Sequence, residues 1–340
     1  MGEFEIIANI RRFAETVPVS GVVRLGGGDD CCLLAPRPGE ELAASTDTVV
    51  EGVHFRLDYF SLYQVGAKAM AAALSDLAAV AASPAAALAA VAMPRHKGAQ
   101  EAEELALGLI ETGRKYGCPL VGGDLTSGDG PLVVNVTVFG TLPAGRAVLR
   151  SGAAAGDEVW VTGRPGDAAA VLACLEAELG AAKVRLPEPA PHLRKKFLLP
   201  TPRLKEALIL AGEGPPSAMI DISDGLAADL GHLLDSSQAG ARLLSQSFPK
   251  SGFAASVAEA LGLGAEHFFL HGGEDYELCL TAAPGALDSA VERLKKNRCA
   301  TLHRIGYITA ETGKMVLERP DGSLEQVRKK GYDHFDKSPA

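Results

Sequence analysis

Basic residues are in deficit in this sequence: 340 residues carry 33 lysines and arginines against 42 aspartates and glutamates, a formal net charge of −9. Nonspecific nucleic-acid binding needs lysine and arginine to neutralise phosphates, so that class of function is excluded. An acidic protein that handles anions needs metal cations beside it. Six cysteines, at 31, 32, 118, 174, 279 and 299, form no CxxC spacing and read as reduced core thiols. The adjacent Cys31 and Cys32 would point to opposite faces of a strand. No uninterrupted membrane span is present either. Ala67–Met93 is nearly all alanine, leucine and valine, but Asp76 and Pro84 break it, and alanine is weakly apolar. A buried helix followed by a buried strand is expected there. The first residues, "MGEFEIIANIRRF", carry Glu3 and Glu5 and an amphipathic spacing of Ile6, Ile7, Ile10 and Phe13, unlike a secretory leader. A cytoplasmic location is expected. Two nucleotide signatures are also missing: no G-x-x-x-x-G-K-[ST], and no G-x-G-x-x-G with the lysine and HRD elements of protein kinases.

A chain of this length exceeds the usual single core, so two domains are expected, 1–145 and 146–340. The glycine- and alanine-rich stretch "GTLPAGRAVLRSGAAAGDEVW", with Pro143, reads as their connection. Ser61 and Gln64 form a capping-box pattern opening a helix that should reach about Ala82, where Ser83 and Pro84 stop it. Further helices are expected over Ala99–Tyr116, with Gly117 as the stop, over Ala168–Leu179 and over Gly225–Leu234. Strands are expected in "ELAASTDTVV", "AAALAAVAM", "PLVVNVTVFG", "DEVWVTG", "SAMIDIS" and "YELCLTA". The fold class is α/β (α+β), in two domains.

Acids cluster at the ends of these elements, in "GGGDDCCLL", "STDTVVEGVHF", "LSDLAAV", "VGGDLTSGDG" and "IDISDGL". Such acids repel one another, and burying them is costly unless cations compensate. Oxygen ligands without paired histidines point to magnesium rather than zinc. Glycines accompany the acids and let the backbone approach a ligand, where successive amides can cradle phosphate oxygens. The combination suggests a nucleotide with magnesium. Asp221, Ser223 and Asp224 also fit a helix start, with Ser223 or Asp224 as the cap, and a helix N-terminus itself favours phosphate.

In order along the chain, "GGGDDCCLL", "STDTVVEGVHF", "KAMAAALSDLAAVAASP", "VGGDLTSG", "RSGAAAGDEVWVTG", "PTPRL", "AMIDISDGLAADLGHLL", "GGEDYELCLT" and "KGYDHF" resemble the signature segments of the bacterial thiamine-monophosphate kinases. "SDGL" alone marks only the wider aminoimidazole-ribonucleotide synthetase-like superfamily; "TDTVVEGVHF", "GGEDYELC" and "GYDHF" are much more specific. The resemblance implies a two-domain fold in which each domain is a mixed sheet covered by helices, and a homodimer whose N-terminal domains pair through their sheets. It implies ATP-dependent phosphorylation of thiamine monophosphate to thiamine diphosphate, with several Mg²⁺ ions and with neither nucleic acid nor membrane as partner.

Residue by residue, the resemblance implies magnesium ligands at Asp30, Ser45, Thr46, Asp47, Asp76, Asp124, Asp221 and Asp224, through side-chain or backbone oxygens at 45–47. Asp29 would be a supporting acid, since neighbours on a strand face opposite ways. Tyr116, Gly122, Gly123, Arg150 and Ser223 would contact ATP; His54, Glu274 and Tyr332 would contact the acceptor. No general base or covalent nucleophile is expected. Ordinary roles compete at several positions: a turn at 45–47, packing for Tyr116, a surface place for Arg150, a satisfied polar residue for His54. Rival functions are another ATP enzyme of the superfamily, such as an aminoimidazole-ribonucleotide or selenophosphate synthetase, and a noncatalytic thiamine-phosphate or nucleotide sensor. No cysteine precedes Cys31, and the chain ends "HFDKSPA", against the selenophosphate and hydrogenase-maturation branches.

Overall fold

Alternation of small or β-branched residues with polar ones, and one alanine-rich helix, build the first half of the computed structural model. The structure describes residues 3–15, 18–26, 30–180, 184–329 and 331. The chain divides into two units, Met1–Ala147 with Leu198–Leu204, and Val148–Phe197 with Lys205–Ala340. The first contains α1 (Glu3–Ala14), β1 (Val23–Leu25), β2 (Leu33–Leu34), β3 (Glu40–Val50), α2 (Leu62–Ala79), β4 (Ser83–Pro94), α3 (Ala99–Lys115), β5 (Leu120–Gly128) and β6 (Val133–Pro143). Its main sheet runs β3-β6-β4-β5, antiparallel except for the parallel β4–β5 pair. Val134, Val136 and Val138 of β6 are fully buried while their neighbours are half-buried, the period of two that the sequence shows.

Ser61 and Gln64 form the capping box at the start of α2. That helix ends at Ala79 rather than near Ala82, because Ala81 takes φ +58°, a left-handed geometry that breaks the helical run. Ser83 and Pro84 then open β4. The Ala67–Met93 segment thus becomes a helix and a strand, and no helix among the described residues is long and apolar enough to cross a membrane.

Helices α2 and α3 meet backbone to backbone. A Cβ on Gly66 would lie 2.1 Å from the Leu105 carbonyl oxygen, and one on Gly108 would lie 2.0 Å from that of Tyr63. Only glycine fits at either crossing point.

The second unit contains β7 (Glu158–Thr162), α4 (Asp167–Glu178), α5 (Pro191–Leu198), α6 (Leu204–Glu213), β8 (Ala218–Ile222), α7 (Leu226–Ser237), β9 (Gly240–Leu244), α8 (Gly252–Ala260), α9 (His267–His271), β10 (Glu277–Ala282), α10 (Asp288–Lys296), β11 (Leu302–Thr309), β12 (Met315–Glu318) and β13 (Leu324–Gln326). Its sheet runs β13-β12-β9-β11-β7-β10-β8, antiparallel except for β12–β9. Val159, Val161, Ile220, Ile222 and Cys279 of the sheet form one core with Leu226, Leu230, Leu233 and Leu234 of α7. Each unit is a mixed sheet with helices.

Among the described residues the cysteines form no disulfide, but only Cys118, Cys174 and Cys279 are buried. Cys31 is exposed and Cys32 and Cys299 are half-buried, so the expectation of six core thiols holds for three. The pair at 31 and 32 precedes β2 instead of lying in a strand, which removes the opposite-face argument there.

Candidate functional site

In the first unit, β3 carries Ser45, Thr46 and Asp47 as consecutive strand residues, so the turn reading of this stretch is wrong. Ser45 and Asp47 are half-buried and Thr46 is exposed. Ser45 Oγ donates a hydrogen bond to an Asp76 carboxylate oxygen on α2. Thr46 lies on the other face, where its hydroxyl is 3.0 Å from that of Thr137 and 3.1 Å from the Asn135 amide nitrogen. Strand alternation turns the Thr46 side chain away from Ser45 and Asp76, so of the side-chain or backbone oxygens expected at 45–47 its main-chain oxygen is the one that remains there.

Asp124 is exposed on the edge strand β5, opposite Ala90 of β4. Gly122 and Gly123 precede it. A Cβ on Gly123 would lie 2.0 Å from the Ala89 carbonyl oxygen, so the neighbouring strand alone requires glycine at that position. Asp30 lies in an exposed bend between β1 and β2, not on a strand. Tyr116 caps the C-terminus of α3; its phenol oxygen is buried and makes no hydrogen bond with any described residue. The Lys115 ammonium stands 4.8 Å from the Tyr116 ring centroid.

His54 follows β3, and its backbone N–H donates to the Val50 carbonyl at 2.9 Å. Its Nδ1 accepts the Val50 backbone N–H at 3.1 Å, and its carbonyl accepts from Lys68 Nζ at 2.8 Å. An Nδ1 that accepts leaves the proton of the neutral ring on Nε2, which makes Nε2–H a donor. Lys68 is 1% exposed, with Nζ 5.0 Å from the Phe60 ring centroid. Sequence reasoning missed Lys68, although a lysine inside an alanine-rich helix was a visible signal.

In the second unit, Asp221 is the buried penultimate residue of β8, and Ser223 and Asp224 form the half-buried turn into α7. One oxygen of Asp229, a turn further along α7, accepts the backbone N–H groups of Ser223, Asp224 and Gly225, each at 3.1 Å. The three amides that lead into this helix start are thus occupied by the protein's own carboxylate. Neither Ser223 nor Asp224 caps α7 with its side chain; Gly225 is the cap, with φ +116°. Burial, then the negative charges of Asp221 and Asp224, push Asp229 up to about 8. A potential that opposes ionisation of a nearby carboxyl is the environment a divalent cation would relieve.

The "HGGEDYE" loop packs directly on this turn. Glu274 N–H donates to the Ser223 carbonyl at 2.7 Å and Tyr276 N–H to the Ile222 carbonyl at 2.9 Å. A Cβ on Gly273 would lie 2.5 Å from the Ser223 oxygen, so the contact depends on glycine. Glu274 is half-buried; Asp275 and Glu277 are buried. Glu277 accepts the Thr162 hydroxyl at 2.7 Å and pairs with Lys196 at 3.1 Å. Burial raises Asp275 to about 7. Sequence reasoning missed Asp229, Asp275 and Glu277 as site supports. Arg150 is exposed, and its carbonyl accepts the Ser237 hydroxyl at 3.1 Å. Tyr332, the third expected acceptor contact, lies outside the described residues.

The carboxylates offer only oxygen donors, which suits magnesium. Among the described residues, no three carboxylate, histidine or cysteine side chains are grouped to hold a metal ion by themselves. Magnesium usually keeps several waters and binds through one or two carboxylates plus substrate phosphates, so the donor set fits an ion that arrives with a nucleotide.

This two-unit architecture is that of the AIR synthase related proteins. Their N-terminal domain model matches residues 28–142 and their C-terminal domain model residues 154–318. Within that class, the curated thiamine-monophosphate kinase of Escherichia coli K12 is 39% identical over 98% of this chain and 98% of its own. The enzyme of Bacillus subtilis 168 is 33% identical, covering 98% of this chain and all of its own. The crystal structure of thiamine-monophosphate kinase from Stenotrophomonas maltophilia K279a is 36% identical with a TM-score of 0.78, covering 95% of this chain and 97% of that one. AaThiL complexed with AMPPCP and TMP is 30% identical with a TM-score of 0.73, covering 98% and 97%. The chain belongs to the thiamine-monophosphate kinase family. Hydrogenase maturation protein HypE in complex with ATP also reaches a TM-score of 0.78, but at 18% identity it shares the fold alone.

Proposed function

We propose that this protein transfers the γ-phosphoryl group of ATP to the phosphate of thiamine monophosphate, giving thiamine diphosphate and ADP, in one in-line step. The observation that carries the reading is the 2.7 Å bond from Glu274 N–H to the Ser223 carbonyl. It joins the expected acceptor contact to the expected nucleotide contact. The relative complexed with AMPPCP, an ATP analogue, and TMP supports the same substrates.

Ser223, Arg150, Tyr116 and the backbone of Gly122 and Gly123 contact ATP. His54, through Nε2–H, and Glu274 hold the acceptor, with Tyr332 as a third contact. An acceptor phosphate oxygen attacks the γ-phosphorus while the bond to the bridging oxygen of ADP breaks. The acceptor's second pKa is about 6, so near neutrality no proton has to be removed. Engagement of His54 Nδ1 by Val50 supports a binding role over a basic one.

Asp30, Ser45, Asp47, Asp76 and Asp124 in the first unit, with the main chain of Thr46, and Asp221 and Asp224 in the second, are the proposed magnesium ligands. The ions, when bound, neutralise the crowded phosphates. The protein works as a cytoplasmic homodimer.

Incubation with ATP, magnesium and thiamine monophosphate should yield thiamine diphosphate by chromatography, with free thiamine left unphosphorylated. Absence of thiamine diphosphate, or equal rates on free thiamine, refutes the reading.

A further inference from the structure

Two residues of the "GGEDYE" loop sit in the left-handed region without being glycine: Glu274 at φ +66° and Tyr276 at φ +50°. L-residues rarely adopt this backbone, and it persists only where the surroundings over-determine it. The main chain supplies two of the restraints, the bonds from Glu274 and Tyr276 to β8 and its turn. The third comes from the side chain between them. Asp275 is 2% exposed, and its carboxylate spans the first turn of α4: Oδ2 accepts the Gly166 N–H at 2.5 Å and Oδ1 the Ala168 N–H at 3.3 Å. The loop thus holds three carboxylates in four residues, of which Asp275 and Glu277 turn into the protein and Glu274 alone stays half-exposed.

We propose that Asp275 is a positioning residue for acceptor recognition: by tying the loop to the N-terminus of α4, it fixes the left-handed backbone of Glu274 and so sets where that carboxylate meets the cationic acceptor. This rests on the reading that Glu274 binds thiamine monophosphate. Helix α4 acts here as an internal anchor, its first amides occupied by Asp275. The chemistry makes Asp275 difficult to replace. Asparagine keeps one acceptor oxygen but presents an N–H₂ group to the second amide, and alanine leaves both amides without an acceptor.

The test compares Asp275→Ala, Asp275→Asn and Glu274→Gln with the wild type in full-length protein, measuring KM for thiamine monophosphate, KM for ATP, kcat and Tm. Asp275→Ala should raise the acceptor KM about tenfold or more, in line with Glu274→Gln, with the ATP KM within about twofold. Asp275→Asn should fall between alanine and wild type. If alanine does not fold, asparagine decides, with an acceptor KM raised about threefold or more at unchanged ATP KM. A folded Asp275→Ala with wild-type acceptor KM and a lower Tm makes Asp275 merely structural and overturns the proposal, as do equal rises in both KM values. If Glu274→Gln raises the acceptor KM and neither Asp275 variant does, the positioning role fails while the reading of Glu274 stands. If Glu274→Gln leaves the acceptor KM unchanged, both fail.

Discussion

His54→Gln separates a binding histidine from a basic one. In the structure Nδ1 of the imidazole accepts the Val50 N–H, so in the neutral ring Nε2 carries the proton and is a donor, not a base. Losing one hydrogen bond to a charged acceptor costs about 1.5–3 kcal/mol. At about 1.4 kcal/mol per tenfold, this raises the acceptor KM by roughly 10- to 150-fold, provided that chemistry is slow relative to substrate dissociation. Loss of the Val50 bond adds about 1 kcal/mol of local destabilisation, which lowers Tm without touching the reacting atoms. Steady-state kinetics from pH 5.5 to 8.5, with pre-steady-state turnover to isolate chemistry, should show kcat within about threefold of wild type. The acid limb should persist, because it follows the acceptor's own second ionisation near about 6. A missing general base would instead cost about 10²- to 10⁴-fold in kcat. A loss of that size in the chemical step, together with disappearance of the acid limb, refutes the reasoning and makes His54 a proton carrier.

Asp76→Asn should reduce turnover by about 100-fold or more while circular dichroism stays native, since it removes a charge beside Ser45 from the proposed magnesium ligands; near-normal turnover at limiting magnesium overturns the ligand role. Gly108→Ala should destabilise by about 2–3 kcal/mol, because its Cβ would strike the Tyr63 carbonyl oxygen at 2.0 Å, lowering Tm by roughly 4–12 °C. Gly212→Ala in α6, where a Cβ meets nothing within 4 Å, should be neutral or stabilising by up to about 1 kcal/mol, and the same thermal melts check both. Asp275, raised by burial from 3.8 to about 7, binds a proton in the folded state that the unfolded chain has released. Its contribution to stability is therefore full below pH 3.8 and is lost as the pH rises through about 7. Between pH 4.5 and 6.5, urea unfolding of the wild type should lose up to about 1.4 kcal/mol per pH unit relative to Asp275→Asn; parallel pH profiles for the two proteins contradict the shift.

Local signals carried β3, β4, β6, β7, β8 and β10, the helices α2, α3, α4 and α7, and the family, but not β5, β9, β11, β12 and β13 or α5, α6, α8, α9 and α10. Val134, Val136 and Val138 reveal β6 because the strand period acts between near neighbours, and Ser61 with Gln64 reveals the start of α2 because a capping box closes within four residues. The motifs were legible for a similar reason: each is a short segment whose residue types the chemistry itself demands. What the sequence could not settle was which side of the chain each atom uses. Thr46 reads like its neighbours Ser45 and Asp47, and only the pairing of β3 with β6 shows that its hydroxyl meets Thr137. Helix α2 ends where Ala81 turns left-handed, not at the proline three residues on. Asp229 reads as one more polar residue on an amphipathic helix, yet the turn folds back so that three amides share its oxygen. Asp275 and Gly166 stand 109 residues apart in sequence, and Gly66 and Gly108 are required by the crossing of two separate helices. Residue periodicity and caps depend on chain neighbours, which the sequence contains; the burial of a carboxylate, the partner of an amide and the space for a Cβ depend on segments brought together by packing, which only the tertiary structure supplies.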